Sequence, residues 1–396
     1  MTDFRSVETL GVFKNDQHVA NLRRLPKGCE FSYTTDFLAS HQNEIALHLP
    51  KSPVPFTVEG LANLPTYFAG LLPEGIMFNA VKALIGSAAD DLFAVLAATG
   101  NDAIGDIDVR IPGEDKRSPT INFDDAANYI QAILDRKSKG LDNHVAAIPG
   151  VQPKLSLGEI VRVSRKKKVI AKFDSPEFPG LVQNEFACMR LARRCGLEVP
   201  DVKLHANALL VQRFDRIFNE PTDQLEKVHV EDMLQVMDFF PNSKYSMEYD
   251  DLLGAMLELE VSKATLLDAL RLFVFSYIIG NGDLHAKNVS LVRTNQQWKL
   301  SPVYDLLSTL PFKDVLPGAE RMALALADES FGRYTTSEFV EFGHRFGLPE
   351  RAVTQMVSGL VQKVLKHAQK VLHQSVSEEV IATIIERARS LEATKS

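Results

Sequence analysis

Asp283 and Asn288 lie in the stretch Asn281-Gly-Asp-Leu-His-Ala-Lys-Asn288, and a further acid, Asp305, follows about one hairpin later. A carboxylate can take the proton of an attacking hydroxyl. An amide oxygen and a second carboxylate are hard oxygen ligands of the kind magnesium prefers when it also binds phosphate groups. Asp283, Asn288 and Asp305 therefore read as one proton-transfer and metal set for phosphoryl transfer. The apolar run 272–279 before the loop predicts a buried helix that ends in an exposed polar turn, a common seat of function. Asp283-Leu-His285 also fits the ligand pair of a metallophosphatase. That reading needs further His and Asp clusters downstream, which the sequence does not supply.

The spacing of Asp283 and Asn288 is that of the protein-kinase catalytic loop, which also requires a strand lysine and a helix glutamate to place the nucleotide phosphates. Val169-Ile-Ala-Lys172 supplies a β-branched strand segment reaching a lysine, and Glu185 opens the next helix. Ahead of them, Ile148-Pro-Gly-Val-Gln-Pro-Lys154 is a turn able to lie over phosphates, although it is not a G-x-G-x-x-G loop.

The elements that must position these residues follow from periodicity. Up to Pro50, short apolar segments such as Gly11-Val-Phe13 and Phe31-Ser-Tyr-Thr-Thr-Asp-Phe37 alternate with turns, which predicts small antiparallel strands. Residues 61–98 carry helical spacing, and 101–108, with Gly105 in a turn, return to a strand. The polar segment 114–119 reads as a surface link. Residues 155–163 and 169–173 form a hairpin around the basic turn 164–168, most simply a solvated tip. A helix is predicted from about Asn184, burying Phe186, Met189 and Ala192 and stopping at Gly196. From Val228 the chain reads as mostly helical, apart from a second hairpin, 289–293 with 298–304, joined by 294–297. Three closing helices are predicted to open near Ser337, Pro349 and Ser377.

A chain of 396 residues with 45% hydrophobic and 24% charged residues can bury more than one core, which excludes disorder and favours two lobes. No apolar run is long enough for a bilayer span, and Met1-Thr-Asp-Phe-Arg5 lacks a leader pattern, so a cytoplasmic protein is expected. A formal charge of -7 gives the whole fold no attraction to nucleic acid. Cys188 and Cys195 are too far apart along one helix to form a disulfide and read as packing residues.

The motifs Phe68-Ala-Gly-Leu-Leu-Pro-Glu74, Gly150-Val-Gln-Pro-Lys-Leu155, Asn184-Glu185, Val211-Gln-Arg-Phe-Asp-Arg216, Glu231-Asp-Met233, Gly282-Asp-Leu-His-Ala-Lys-Asn288 and Pro302-Val-Tyr-Asp305 run along nearly the whole chain. Together they resemble the HipA-type serine/threonine kinases, toxins of type II toxin-antitoxin pairs. The resemblance implies a two-lobed, kinase-like α/β fold with a β-rich N-terminal subdomain (1–113), a nucleotide-binding part of the N-lobe (114–212) and a helical C-lobe with the catalytic loop (213–396). It implies ATP and Mg²⁺ as cofactors, with Asp283 as catalytic base and Asn288 and Asp305 as metal ligands. On the nucleotide it places Gly150, Val151, Gln152, Lys154, Lys172, His285 and Tyr304, with Gln212, Arg213 and Phe214 as the hinge beside the adenine. Implied partners are a helix-turn-helix antitoxin, operator DNA through that antitoxin, and a protein substrate such as an aminoacyl-tRNA synthetase, whose phosphorylation arrests growth. The family's self-phosphorylated serine falls at Ala147, where no ester can form. Two other readings share these residues: a catalytically silent corepressor and a small-molecule kinase of the aminoglycoside type.

Overall fold

The computed structural model describes residues 3–60, 64–86, 91–114, 154–157, 168–174, 178–205, 207–326 and 333–392. The chain divides into two compact units. One holds Met1–Ser175, Leu210–Glu231 and Asp238–Pro241, and the other holds Pro176–Leu209, Asp232–Met237 and Asn242–Ser396. The expected segments 1–113, 114–212 and 213–396 are divisions by sequence and do not coincide with these units.

The first unit opens with a five-stranded antiparallel sheet in the order β4-β3-β2-β1-β5, made of β1 (Thr9–Lys14), β2 (Gln17–Leu25), β3 (Gly28–Tyr33), β4 (Phe56–Val58) and β5 (Ile107–Arg110). Inward residues such as Leu10, Val12, Leu22 and Phe31 share a core with Tyr67, Phe68 and Phe93 from the helices Thr66–Gly70 and Leu92–Thr99. The segment expected to stay extended to Phe37 instead leaves the sheet after Tyr33. Thr34 accepts a hydrogen bond from the Phe37 backbone and opens a short helix, Thr35–Ala39. The cap satisfies an amide that an edge strand would leave open, and Phe37 is then buried. A hairpin of β6 (Lys154–Leu157) and β7 (Val169–Phe173) follows, in antiparallel register. Of the basic turn expected as a solvated tip, 164–167 lie outside the described residues, and Lys168 is half-buried with its ammonium 3.4 Å from Asp102.

A buried charge network ties this unit together. His229 donates from Nδ1 to Asp106 (3.0 Å) and from Nε2 to Glu231 (2.9 Å), and Glu231 also accepts from the Leu47 backbone, while Lys14 lies 3.4 Å from Asp106. Both ring nitrogens can donate only in the imidazolium. Burial alone would favour the neutral ring, but the hydrogen bonds and charges of Asp106 and Glu231 outweigh it and raise the pKa from 6.5 to about 9. A raised folded-state value means that this stabilisation is complete below pH 6.5 and disappears as pH climbs through about 9. Melting temperature measured from pH 6 to 10 is expected to carry a declining component over that window, and His229→Gln should abolish it. A pH-independent difference between the two proteins would exclude a charged His229.

In the second unit the helix Leu181–Cys195 begins three residues before the predicted start and ends at Gly196 as expected. Met189 and Ala192 are buried with Cys188, Leu191 and Cys195, but Phe186 is half-buried, with Arg190 over its ring. A stripe at a strict spacing of three drifts off the apolar face of a 3.6-residue helix, and Phe186 is where the drift shows. The region after Val228 is not purely helical, since His229–Asp232 is a strand whose last residue caps Met233–Val236 with Gln235 in a capping box. The second hairpin is Ser290–Thr294 with Gln297–Leu300, turned by Asn295 and Gln296 at positive φ, so its second strand stops four residues before the predicted end at Tyr304. Thr335, Pro349 and Ser377 precede the closing helices Thr336–Arg345, Glu350–Leu372 and Glu378–Ser390, with Thr335 taking the opening expected at Ser337. These helices pack around Lys263–Ile279, a helix buried on nearly every face and therefore fixed in orientation. Among the described residues, no helix is long and apolar enough to cross a membrane.

Candidate active site

The central helix Lys263–Ile279 stops because Gly280 adopts φ +66, which lets the Asn281 amide bond back to the Ser276 carbonyl and releases the chain into the polar loop. Asn281 then turns the loop by accepting from the Asp283 amide at 3.0 Å. The Asp283 carbonyl accepts from the His285 amide (2.8 Å) and from the Asn288 side-chain nitrogen (2.8 Å). That second bond fixes the Asn288 amide, with its nitrogen committed to the loop and its oxygen as the side chain's acceptor atom. Asn288 is 8% exposed.

Supports from distant parts of the chain hold the loop. Thr309 Oγ1 accepts from the Gly282 amide at 2.9 Å and lies within hydrogen-bond reach of the Gly280 and Ala319 carbonyls. Tyr249 donates to the Leu284 carbonyl at 3.0 Å, and Tyr245 donates to Asp283 Oδ1 at 2.6 Å. The Tyr304 hydroxyl bonds the Lys287 carbonyl at 2.9 Å and meets Ser290, which brings the Tyr304-Asp305 pair against the loop. Burial drives the Tyr304 pKa well above its ordinary value against the hydrogen bond from Ser290, so the phenol stays a neutral donor. Asp305 is buried with φ +53, a left-handed conformation uncommon outside glycine and often found at functional positions. Asn184 clamps the segment beyond it: its amide donates to the Ser308 carbonyl at 2.8 Å and accepts from the Ser308 amide at 2.9 Å.

Gly282 is needed for the close approach of this loop to its supports. A Cβ there would fall 2.8 Å from Thr309 Oγ1 and 3.1 Å from the Arg321 carbonyl. Overpacking of this kind costs ~1–3 kcal/mol. Gly282→Ala is therefore expected to lower the urea midpoint measurably and to slow any reaction at the loop. An unchanged midpoint would mean that the loop yields freely.

Apart from Glu185, the other expected site residues lie in the first unit or outside the described residues. Ala147, Gly150, Val151 and Gln152 fall outside them. Lys154 opens β6 and is the register partner of Lys172 on β7, and Lys172 is buried at 3% exposure. Gln212 ends the strand Ala208–Gln212, and Phe214 is half-buried. Within the expected hinge, the Arg213 side chain is fully buried, bonded to Asp215 through Nε at 2.9 Å and Nη2 at 2.6 Å and to Asp102 and Ala103. Any nucleotide contact at position 213 is left to its backbone, because a guanidinium inside an ion network does not also face a ligand. Glu185 is buried in the second unit. Burial pushes the thiols of Cys188 and Cys195 up to about 12, which suits packing residues rather than nucleophiles. Among the described residues no group of three or more His, Cys, Asp or Glu could hold a metal, so the phosphatase reading gains no support.

Tyr245, Thr309 and Asn184 were not singled out for these roles in the sequence. Tyr245 lies 38 positions from Asp283 and Thr309 lies 27 from Gly282, so no local spacing signals either contact. Comparison with known proteins shows the family. Residues 146–368 match the family model described as the HipA-like C-terminal domain, and residues 10–110 match the HipA N-terminal domain. The chain is 31% identical over 327 residues to a Sinorhizobium fredii protein bearing the name "Putative kinase Y4dM", covering 76% of this chain and 75% of that protein. It is 26% identical over 372 residues to the serine/threonine-protein kinase toxin HipA of Shewanella oneidensis, covering 84% of each. HipA in the solved complex of Shewanella oneidensis HipA, HipB and operator DNA superposes with a TM-score of 0.75 at 22% identity, over 97% of both chains. At that identity the likeness speaks for the fold, the kinase-like α/β architecture expected from the sequence. With both family domains present in order along one chain, the protein belongs to the HipA family.

Proposed function

We propose that this chain is an ATP- and magnesium-dependent serine/threonine protein kinase that acts as the toxin of a toxin-antitoxin pair. The observation that carries the reading is the bond from the Asn288 amide nitrogen to the Asp283 carbonyl, which locks an acid and a ligand oxygen into one turn. Asp283 accepts the proton of the substrate hydroxyl, and Asn288 and Asp305 are the residues that would hold magnesium. Bound magnesium supplies charge neutralisation on the phosphates. Lys172, on the strand that pairs with the one Lys154 opens, would contact the nucleotide phosphates together with Lys154. Gly150, Val151 and Gln152 would cover the phosphates, Gln212 to Phe214 would border the adenine through backbone groups, and His285 and Tyr304 would line the phosphate side.

The likeness to a HipA–HipB–operator complex supports a helix-turn-helix antitoxin as partner, with DNA bound through it. A protein of translation, such as an aminoacyl-tRNA synthetase, is the proposed substrate, and growth arrest the result. Incubation with labelled ATP and a cell lysate tests the reading. Label should enter a discrete protein in a magnesium-dependent way. Transfer to an aminoglycoside-like small molecule and to no protein would move the chain to the small-molecule kinases, and no transfer at all would leave the corepressor. Because the chain carries a formal charge of -7, a gel shift should show operator binding only when the antitoxin is added. Sequence-specific binding by the chain alone would contradict this.

A further inference from the structure

We propose that Tyr245 is a positioning residue for the catalytic carboxylate, holding one oxygen of Asp283 so that the other is presented to the acceptor hydroxyl; the inference rests on the phosphoryl-transfer reading above. The Asp283 side chain is 39% exposed, and a carboxylate that open to water rotates unless something holds it. The Tyr245 hydroxyl donates to Oδ1 at 2.6 Å, within the short range of hydrogen bonds to an ionised oxygen. His285 Nε2 stands 3.8 Å from the same oxygen, too far to take over that bond.

Tyr245 is itself held in place. Its ring meets the buried His285 edge-on, with centroids 5.0 Å apart at 83°, and the Lys244 ammonium lies 5.5 Å from the ring centroid. The Lys244 carbonyl accepts from the Ala286 amide at 3.4 Å, so the segment carrying Tyr245 is tied to the catalytic loop by backbone as well as by side chain. Yet Tyr245 is 51% exposed. An aromatic residue that open to solvent gains little from burial, and what distinguishes it is the commitment of its hydroxyl to the reactive acid. With Oδ1 occupied, Oδ2 is the oxygen left to receive the proton, and a fixed carboxylate removes a rotation that would otherwise have to be frozen on the way to the transition state.

Tyr245→Phe keeps the ring against His285 and removes only the hydroxyl. In steady-state assays with the labelled acceptor protein, it is expected to lower kcat by about tenfold while KM for ATP and for the acceptor each change by less than about twofold. In the Asp283→Asn background, followed by single-turnover transfer, the same substitution should change the residual rate by less than about twofold, because no base remains to be oriented. An undiminished or raised kcat in Tyr245→Phe, or an equal loss in both backgrounds, overturns the proposal. Absence of transfer by the unsubstituted protein removes the kinase reading and this role with it. Transfer at the unsubstituted rate by Tyr245→Phe removes the role of Tyr245 alone.

Discussion

Asp283→Asn is expected to reduce phosphoryl transfer by about two orders of magnitude or more, the range associated with loss of a general base. The substitution is nearly isosteric and should spare the loop. The bond from Asn288 is to the backbone carbonyl of residue 283, the Asn281 turn is to its backbone amide, and an Asn side-chain oxygen can still accept from Tyr245. Magnesium-ATP affinity, measured by calorimetry, should therefore remain close to that of the parent, because Asn288, Asp305 and the phosphate lysines are untouched. Transfer undiminished in this variant would remove Asp283 from the reaction. Nucleotide affinity lost together with activity would instead assign residue 283 to binding.

The second large effect is expected far from that loop. Asp215 is buried and accepts two bonds from Arg213, one from Arg216 at 2.8 Å and one from the Gly105 amide at 2.9 Å. Burial opposes its ionisation, but the charges of Arg213 and then Arg216 outweigh it and bring the pKa down to about 2. Asp215→Ala leaves a fully buried guanidinium and an amide without that acceptor, and removing one partner of a buried pair costs ~3–5 kcal/mol. The guanidinium unfolding midpoint should fall steeply, and expression as insoluble protein would be the extreme of the same effect. Asp215→Asn, which can still accept from Gly105, should lose less. The depressed carboxylate also fixes the sign with pH: its stabilisation is full above the ordinary value of 3.8 and is lost as pH falls through about 2. A midpoint unmoved in Asp215→Ala would show that the network is not holding the first unit.

What the sequence by itself determined is local. The order and spacing of Asp283, His285 and Asn288, the apolar run that delivers them, and the openings at Pro349 and Ser377 depend on contacts within a few residues, which a one-dimensional pattern carries. The same holds for the hairpin residues that lead to Asp305. A competing cap at Thr34 ends one strand earlier than its pattern predicts, and a drifting period carries Phe186 off its stripe. The tertiary structure alone decided which distant groups meet. Tyr245 on Asp283, Thr309 beneath Gly282, Asn184 against Ser308, and Asp102 on Arg213 join positions far apart in the chain. An arginine in a motif has the same composition whether it faces a nucleotide or two buried aspartates; burial and the partners brought by the fold decide between them, because a guanidinium removed from water must be matched by acceptors that local sequence does not specify.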